Sequence, residues 1–162
     1  MTDALTGLYN FGYLHTHLRR EVADATKLEK NLSLGFFALS DMARVNQDHG
    51  YPVGDHLIRQ IGNTIGRLLR GEDLAARYAG DEFCVILPGT SSDRAQVVIR
   101  RLTSIIENTE FSIPGLDRSL KVNLRSGVVG LEPGESAEML IARVRSMAVS
   151  YAKIRSSGRL AG

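Results

Sequence analysis

Three groups of polar residues have types and spacings that could do chemistry. Asp81 and Glu82 are adjacent carboxylates in a predicted tight turn, Asn46 and Asp55 flank a glycine-containing segment, and Arg70 shortly precedes Asp73. A carboxylate accepts hydrogen bonds, an amide both donates and accepts them, and an arginine can form two parallel bonds to one partner. These groups could therefore bind a polar ligand.

Each group also has an ordinary structural interpretation. Asn46 suits a turn, and Asp55 suits the N-cap of a helix. Arg70 suits a helix C-terminus, and Asp73 suits a turn. Glu82 could be no more than a solvated charge on a hairpin. Both interpretations of each residue stay open at this point.

The composition indicates one globular domain covering residues 1–162. A formal net charge of +2 with mixed signs and only 6% aromatic residues argue against a nucleic-acid surface. Cys84, the single cysteine, is expected to be a buried structural thiol. No apolar stretch approaches the roughly 20 residues needed to cross a bilayer, so no membrane contact is expected. A cytoplasmic location is the default, while the full-length protein could be tethered to a membrane.

Apolar periodicity predicts elements that would hold these residues. The expected helices are Phe11 to about Lys30, a short one capped by Asp41, Asp55 to Arg70, one capped by Ser91 or Ser92, and about Ser136 to Ile154. The expected strands are Leu32 to Leu39, Leu74 to Tyr78, Phe83 to Leu87, and a pair around Gly115-Leu116-Asp117 whose second arm runs from about Leu120 to Gly130. Adjacent strands without a strict βαβ repeat predict an α+β fold, a central sheet with helices packed over it.

Several motifs in this order resemble one known family. Ala79-Gly80-Asp81-Glu82-Phe83 differs at one position from the Gly-Gly-Asp-Glu-Phe signature of the GGDEF domain of diguanylate cyclases. The segment from Asp3 to Asn10 resembles the family's N-terminal motif. A second, spaced motif is matched by Asn46, Gly50, Gly54 and Asp55, with Tyr51 in place of the usual histidine. Arg77 before the hairpin and Gly158-Arg159 near the end also match. Because the matches span nearly the whole chain, chance is a poor explanation for them.

The resemblance implies a ferredoxin-like, nucleotide-cyclase-like fold with an antiparallel-rich sheet. It also implies a twofold homodimer that condenses two GTP molecules into cyclic di-GMP with the help of Mg²⁺ or Mn²⁺. By that resemblance, the residues that bind GTP are Asn46, Asp55, Gly80, Arg155 and Arg159. Asp81 would hold the metal, and Asp81 and Glu82 would be the catalytic residues.

The metal site departs from the family pattern. Counting back from Asn46, the metal aspartate of the first strand falls on Ala38, and the second acidic position falls on Ser40. A hard cation prefers carboxylate and other oxygen ligands, so Asp81 alone is a poor site. Asp41 should point to the opposite face of the strand from position 38, which favours its role as a helix cap.

Other departures lie near the expected phosphates. The family's lysine falls on Ala43 and its aromatic neighbour on Met42. Arg155 stands where a lysine is usual, which keeps the charge but changes the geometry. Ala79 replaces the first glycine of the signature, where a Cβ could crowd the turn or a nucleotide.

A second nucleotide site is implied by Arg70 and Asp73, which have the spacing of the family's inhibitory Arg-x-x-Asp motif for cyclic di-GMP. Arginine can bond to guanine O6 and N7, and aspartate can accept from guanine N–H groups. The family usually adds another arginine at this site, and Arg100 and Arg101 are both candidates.

The catalytic half-site has thus lost parts, while the inhibitory site is complete. We therefore expect a cyclic di-GMP receptor with weak or no cyclase activity, serving as the output module of a longer protein and signalling to a protein partner. Three alternatives stay open: an active cyclase with product feedback, a regulator that binds GTP without turnover, and a structural protein with vestigial sites.

Overall fold

The computed structural model describes residues 1–148, which form a four-stranded antiparallel sheet flanked by helices. The elements in chain order are α1 (Phe11–Leu28), β1 (Leu32–Leu39), α2 (Met42–His49), α3 (Tyr51–Leu68), β2 (Leu74–Ala79), β3 (Glu82–Pro88), α4 (Ser92–Asn108), β4 (Leu124–Gly130) and α5 (137–148). The strand order is β2-β3-β1-β4, and all three pairings are antiparallel. The predicted α+β fold class is confirmed.

The central strand β1 separates two apolar cores. Alternate residues of a strand point to opposite faces of a sheet. Phe36 and Ala38 accordingly belong to the core formed with α1 and α5, and Phe37 and Leu39 to the core formed with α3 and α4. Every residue of β1 is buried, as expected for an apolar strand with a partner on each side.

The largest differences from the predicted elements lie at the start of α3 and in the segment before β4. Helix α3 begins at Tyr51 rather than Asp55, because Gly50 ends α2 with a φ of 89° and Pro52 favours the first turn of a new helix. The predicted strand pair around residues 115–117 is reduced to one bridge between Phe111 and Leu120, and β4 begins only at Leu124.

The predicted helix caps have different outcomes. Ser91 accepts a hydrogen bond from the Arg94 backbone N–H, which confirms Ser91 as the cap of α4. Asp41 occupies the N-cap position of α2, but its side chain makes no capping hydrogen bond. The predicted end of the last helix, at Ile154, lies outside the described residues.

Among residues 1–148, no helix is long and apolar enough to cross a membrane.

Gly127 allows α5 to lie close against β4. A Cβ at this position would be 2.7 Å from the carbonyl oxygen of Val144 and 3.1 Å from the backbone nitrogen of Ala148. Because both atoms belong to the helix backbone, Gly127→Ala must displace α5. We expect Gly127→Ala to lower the free energy of unfolding by about 1–3 kcal/mol, as overpacking usually does.

Urea unfolding measures this effect, with Gly71→Ala as the matched control. A Cβ at Gly71 meets no atom within 4 Å, so this control should retain the unfolding midpoint of the unmodified chain. Equal midpoints for the two variants would contradict the close approach of α5 to β4.

Candidate functional site

The hairpin between β2 and β3 is fixed beside the end of β1. Its turn is Gly80-Asp81, and the Arg77 side chain donates hydrogen bonds of 3.0 and 2.8 Å to the Gly80 carbonyl. The Leu39 backbone N–H donates to the Asp81 carbonyl at 3.2 Å. The predicted hairpin is confirmed, and Ala79 and Gly80 both have negative φ, so this turn tolerates Ala79 without backbone strain.

The side-chain carboxylate of Asp3 also holds Arg77, and this contact was not predicted from the sequence. Asp3 lies 3.2 Å from Arg77 Nη1 and accepts bonds of 2.9 and 2.8 Å from the backbone N–H and hydroxyl of Thr6. The spacing Asp3-x-x-Thr6 suits such a local carboxylate bond. Burial raises the pKa of Asp3, but the Thr6 hydrogen bonds and the Arg77 charge outweigh it, and the pKa lies below its usual 3.8.

We expect Asp3→Asn to lower the free energy of unfolding by about 1 kcal/mol at pH 7, since hydrogen bonds to a charged group are lost. A depressed carboxyl pKa stabilises the fold above the unfolded pKa, and this contribution is lost as the pH falls through the folded pKa. The difference between Asp3→Asn and the unmodified chain should therefore be constant above about pH 5 and should shrink as the pH falls below the unfolded pKa of about 3.9. Urea unfolding at pH 7 and at several values from about pH 4 to about pH 2 measures it, and a difference that does not shrink over that acidic range would contradict the ionic role of Asp3.

Ala38 lies between two charged residues of neighbouring strands. In the sheet register, Ala38 pairs with Glu82 of β3 on one side and with Arg125 of β4 on the other. Directly paired residues share a face of the sheet. Position 38, where the resemblance places the family's metal aspartate, therefore holds a buried methyl group beside an arginine.

A cleft of about 430 Å³ opens over Ala38 against α5. Its lining includes Glu82, Arg125, Arg145 and Ser146. Arg145 Nη2 lies 3.4 Å from Glu82 Oε2, and the Arg145 guanidinium stacks 4.8 Å from the centre of the Tyr78 ring. Glu82, the predicted catalytic carboxylate, is thus in an ion pair within the chain.

The residues at this position do not fit a divalent cation. Glu82 is paired with Arg145, Ala38 supplies no ligand, and Arg125 adds a second positive charge. Within residues 1–148, no three His, Cys, Asp or Glu side chains group as metal ligands would. A hard cation needs several oxygen donors and is repelled by neighbouring guanidinium groups.

Asn46 lies against Gly54, the residue before Asp55, where α2 packs on α3. Gly54, next to Asp55, has no Cβ, and a Cβ there would overlap the Asn46 side chain. Asn46 Oδ1 is buried without a hydrogen-bond partner among the described residues. Both residues lie inside helices, so the turn interpretation of Asn46 and the N-cap interpretation of Asp55 are wrong.

Arg70 and Asp73 form a bidentate ion pair just after α3. Arg70 Nε and Nη2 donate to the two carboxylate oxygens of Asp73 at 3.2 and 3.0 Å. Arg70 Nη1 lies 3.2 Å from Glu72, and Nη2 also donates to the Thr90 hydroxyl at 3.0 Å. The hydrogen bond and charge of Asp73 raise the pKa of Arg70.

The same pair also closes a turn and borders a cleft. The Arg70 backbone N–H donates to Asp73 Oδ2, and the Asp73 N–H donates to the Arg70 carbonyl, so the turn interpretation of Asp73 is confirmed. Arg70 lies beyond α3, which ends at Leu68. The Asp73 side chain is 2% exposed and that of Arg70 55%. Both line a cleft of about 310 Å³ together with Leu8, Tyr9 and Gly66.

The structure describes two of the four further arginine candidates. Arg100 bonds to Gln96 within α4 at 3.2 Å, and within the described chain neither Arg100 nor Arg101 contacts Arg70 by a hydrogen bond or ion pair. Arg155 and Arg159, with Gly158, lie outside the described residues.

The sheet order, the acidic hairpin and the paired helices α2 and α3 define a nucleotide-cyclase-like α+β domain. The chain belongs to the family described as "Diguanylate cyclase, GGDEF domain", whose model matches residues 1–157.

Individual relatives agree with this assignment. The chain is 32% identical to the diguanylate cyclase DgcP of Pseudomonas aeruginosa over 88% of the chain and 21% of DgcP. It is 28% identical to the response regulator PleD of Caulobacter vibrioides over 88% of the chain and 32% of PleD. The chain thus spans between a fifth and a third of the length of these two relatives.

Solved structures share the fold. The FimX GGDEF domain of Pseudomonas aeruginosa superposes with a TM-score of 0.88 at 27% identity, covering 94% of this chain and 93% of that one. The GGDEF domain of DgcB from Caulobacter crescentus, solved in complex with c-di-GMP, gives a TM-score of 0.90 at 24% identity, covering 94% and 90%.

Proposed function

We propose that this domain is a cyclic di-GMP receptor with weak or no diguanylate cyclase activity. The ligand would bind at Arg70 and Asp73, and the signal would pass to a protein partner. The observation that carries the proposal is the contrast between the two sites: Arg70 and Asp73 are preassembled beside a cleft, while the metal position holds Ala38 between Glu82 and Arg125.

The state of the catalytic half-site supports low turnover. Phosphoryl transfer depends on positioning and on stabilising the charge that develops on the phosphate, which divalent cations supply in this family. Asp81 keeps its place on the hairpin, but Glu82 is paired with Arg145 and position 38 has no carboxylate. The chain's own residues would then hold GTP at Asn46, Asp55 and Gly80 without completing the chemistry.

The geometry of Arg70 supports ligand binding. Its guanidinium is half exposed at the rim of the cleft, while buried Asp73 holds it in a planar, two-bond arrangement. A guanine could displace the contact to exposed Glu72, since exposed ion pairs contribute only about 0–1 kcal/mol. The complex of the DgcB domain with c-di-GMP is consistent with such binding.

The competing function is an active cyclase with product feedback. Its support is the retained acidic pair, Asp81 and Glu82, on a hairpin anchored by Arg77 and Asp3. In that case Arg145 would have to release Glu82, a homodimer would have to bring two half-sites together, and Mg²⁺ or Mn²⁺ would be held chiefly by Asp81.

Several features of the whole protein belong to the proposal. The single domain would be the cytoplasmic output module of a longer protein that could be tethered to a membrane, and homodimerisation would be driven by an N-terminal sensor. Arg100, Arg101 or a residue of a second subunit would complete the cyclic di-GMP site.

Isothermal titration calorimetry of the 162-residue chain with cyclic di-GMP tests the proposal. We expect saturable binding that GTP does not compete away, because the two ligands would use different residues. Absence of binding by the folded chain, or full competition by GTP, would contradict a receptor site at Arg70 and Asp73.

A further inference from the structure

We infer that Arg125 and Arg145 form a phosphate-binding pocket that works without a divalent cation. The pocket is the cleft over Ala38, where both arginines and the hydroxyl-bearing Ser146 line one volume of about 430 Å³. It shares no residue with the Arg70–Asp73 site and does not depend on the proposed receptor function.

The Nε of Arg125 is a buried donor without an acceptor among the described residues. No carboxylate of residues 1–148 lies within ion-pair distance of this side chain. Buried N–H groups in native proteins are almost always satisfied, and this one belongs to a permanently charged side chain. An acceptor bound in the cleft would satisfy it.

Arg145 is held in place, and most of its donors have no acceptor in the part of the chain that the structure describes. Its guanidinium lies over the rings of Tyr78 and Phe36, at 4.8 and 5.8 Å from their centres, and Glu82 contacts Nη2 alone. A guanidinium carries five N–H donors, and Glu82 uses one of them, so within residues 1–148 four have no acceptor. Stacking on two rings fixes the plane of the group, which lowers the entropy lost when a ligand binds.

The charges of the cleft favour an anion with more than two acceptor oxygens. Arg125 and Arg145 face one carboxylate, Glu82, so the lining carries a net positive charge. The two oxygens of a carboxylate ligand can accept two parallel hydrogen bonds from one guanidinium. A tetrahedral phosphate has more acceptor oxygens and can accept from two guanidinium groups and a hydroxyl at once. The volume also exceeds that of a bare phosphate, and a phosphate monoester of a small organic molecule fits this description.

Calorimetric titration of the full 162-residue chain with inorganic phosphate, in EDTA and at low ionic strength, tests the pocket. We expect saturable binding that is unchanged by Mg²⁺, is competed by sulfate, and is not competed by acetate. Arg125→Gln and Arg145→Gln should each weaken it about tenfold, the size of one lost charge-assisted bond. Arg125→Lys should recover part of the affinity.

Arg118→Gln is the matched control, because Arg118 is exposed and carries the same charge outside the cleft. Circular dichroism verifies that every variant is folded. Equal weakening by Arg118→Gln, binding that requires Mg²⁺, competition by acetate, or no saturable binding to the folded chain would each overturn the inference.

Discussion

Arg70→Ala is expected to weaken cyclic di-GMP binding by about tenfold to a hundredfold, since a bidentate arginine–guanine pair contributes about 1–3 kcal/mol. The variant removes the guanidinium that Asp73 orients at the rim of the cleft. Asp73→Asn should cause a similar loss, because the amide holds Arg70 less firmly and no longer accepts as a charged group. Calorimetry with cyclic di-GMP measures both effects.

Glu72→Gln separates ligand binding from a purely structural role of this turn. Glu72 competes for Arg70 Nη1 at 3.2 Å, and both side chains are more than half exposed. If Arg70 binds guanine, Glu72→Gln should raise the affinity by up to about fivefold, within the range of an exposed ion pair. Arg118→Ala serves as the charge control, and an equal loss of affinity in Arg118→Ala and Arg70→Ala would contradict the assignment.

Ala38→Asp alone is expected to stay nearly inactive, whereas Ala38→Asp combined with Arg125→Ala should gain GTP turnover by at least about tenfold. The new carboxylate would face Arg125 across β1 and β4, and an ion pair would form in place of metal coordination. Removing Arg125 leaves the aspartate beside the Asp81 hairpin, where two carboxylates can hold a hard cation.

Turnover with Mg²⁺ or Mn²⁺ at high protein concentration measures this gain. Ala38→Asn with Arg125→Ala is the matched control, since it has the same size without the negative charge. Full activity in Ala38→Asp alone would show that Arg125 does not block the metal position, and this part of the account would be wrong.

Local sequence patterns were sufficient for most of the fold. The apolar run of β1, the hairpin around Gly80-Asp81 and the cap at Ser91 depend on neighbouring residues, and all three are confirmed. The start of α3 was misplaced because Asp55 resembles an N-cap, while Gly50 with Pro52 is the actual boundary.

Such local patterns could not predict the contacts around Ala38 and the Gly80-Asp81 hairpin. Arg145 meets Glu82 and Asp3 meets Arg77 over long stretches of chain, and the position of Arg125 beside Ala38 follows from the β1–β4 register. Sequence alone identified a missing carboxylate at Ala38. Only the structure shows that arginines border the position.

The most direct test of the central claim is a GTP turnover assay on the unmodified chain with Mg²⁺ and with Mn²⁺, at protein concentrations high enough to form dimers. The account predicts no cyclic di-GMP above background from a chain that binds added cyclic di-GMP. Sustained production of cyclic di-GMP would contradict it and would identify an active cyclase whose metal is held without a carboxylate at position 38.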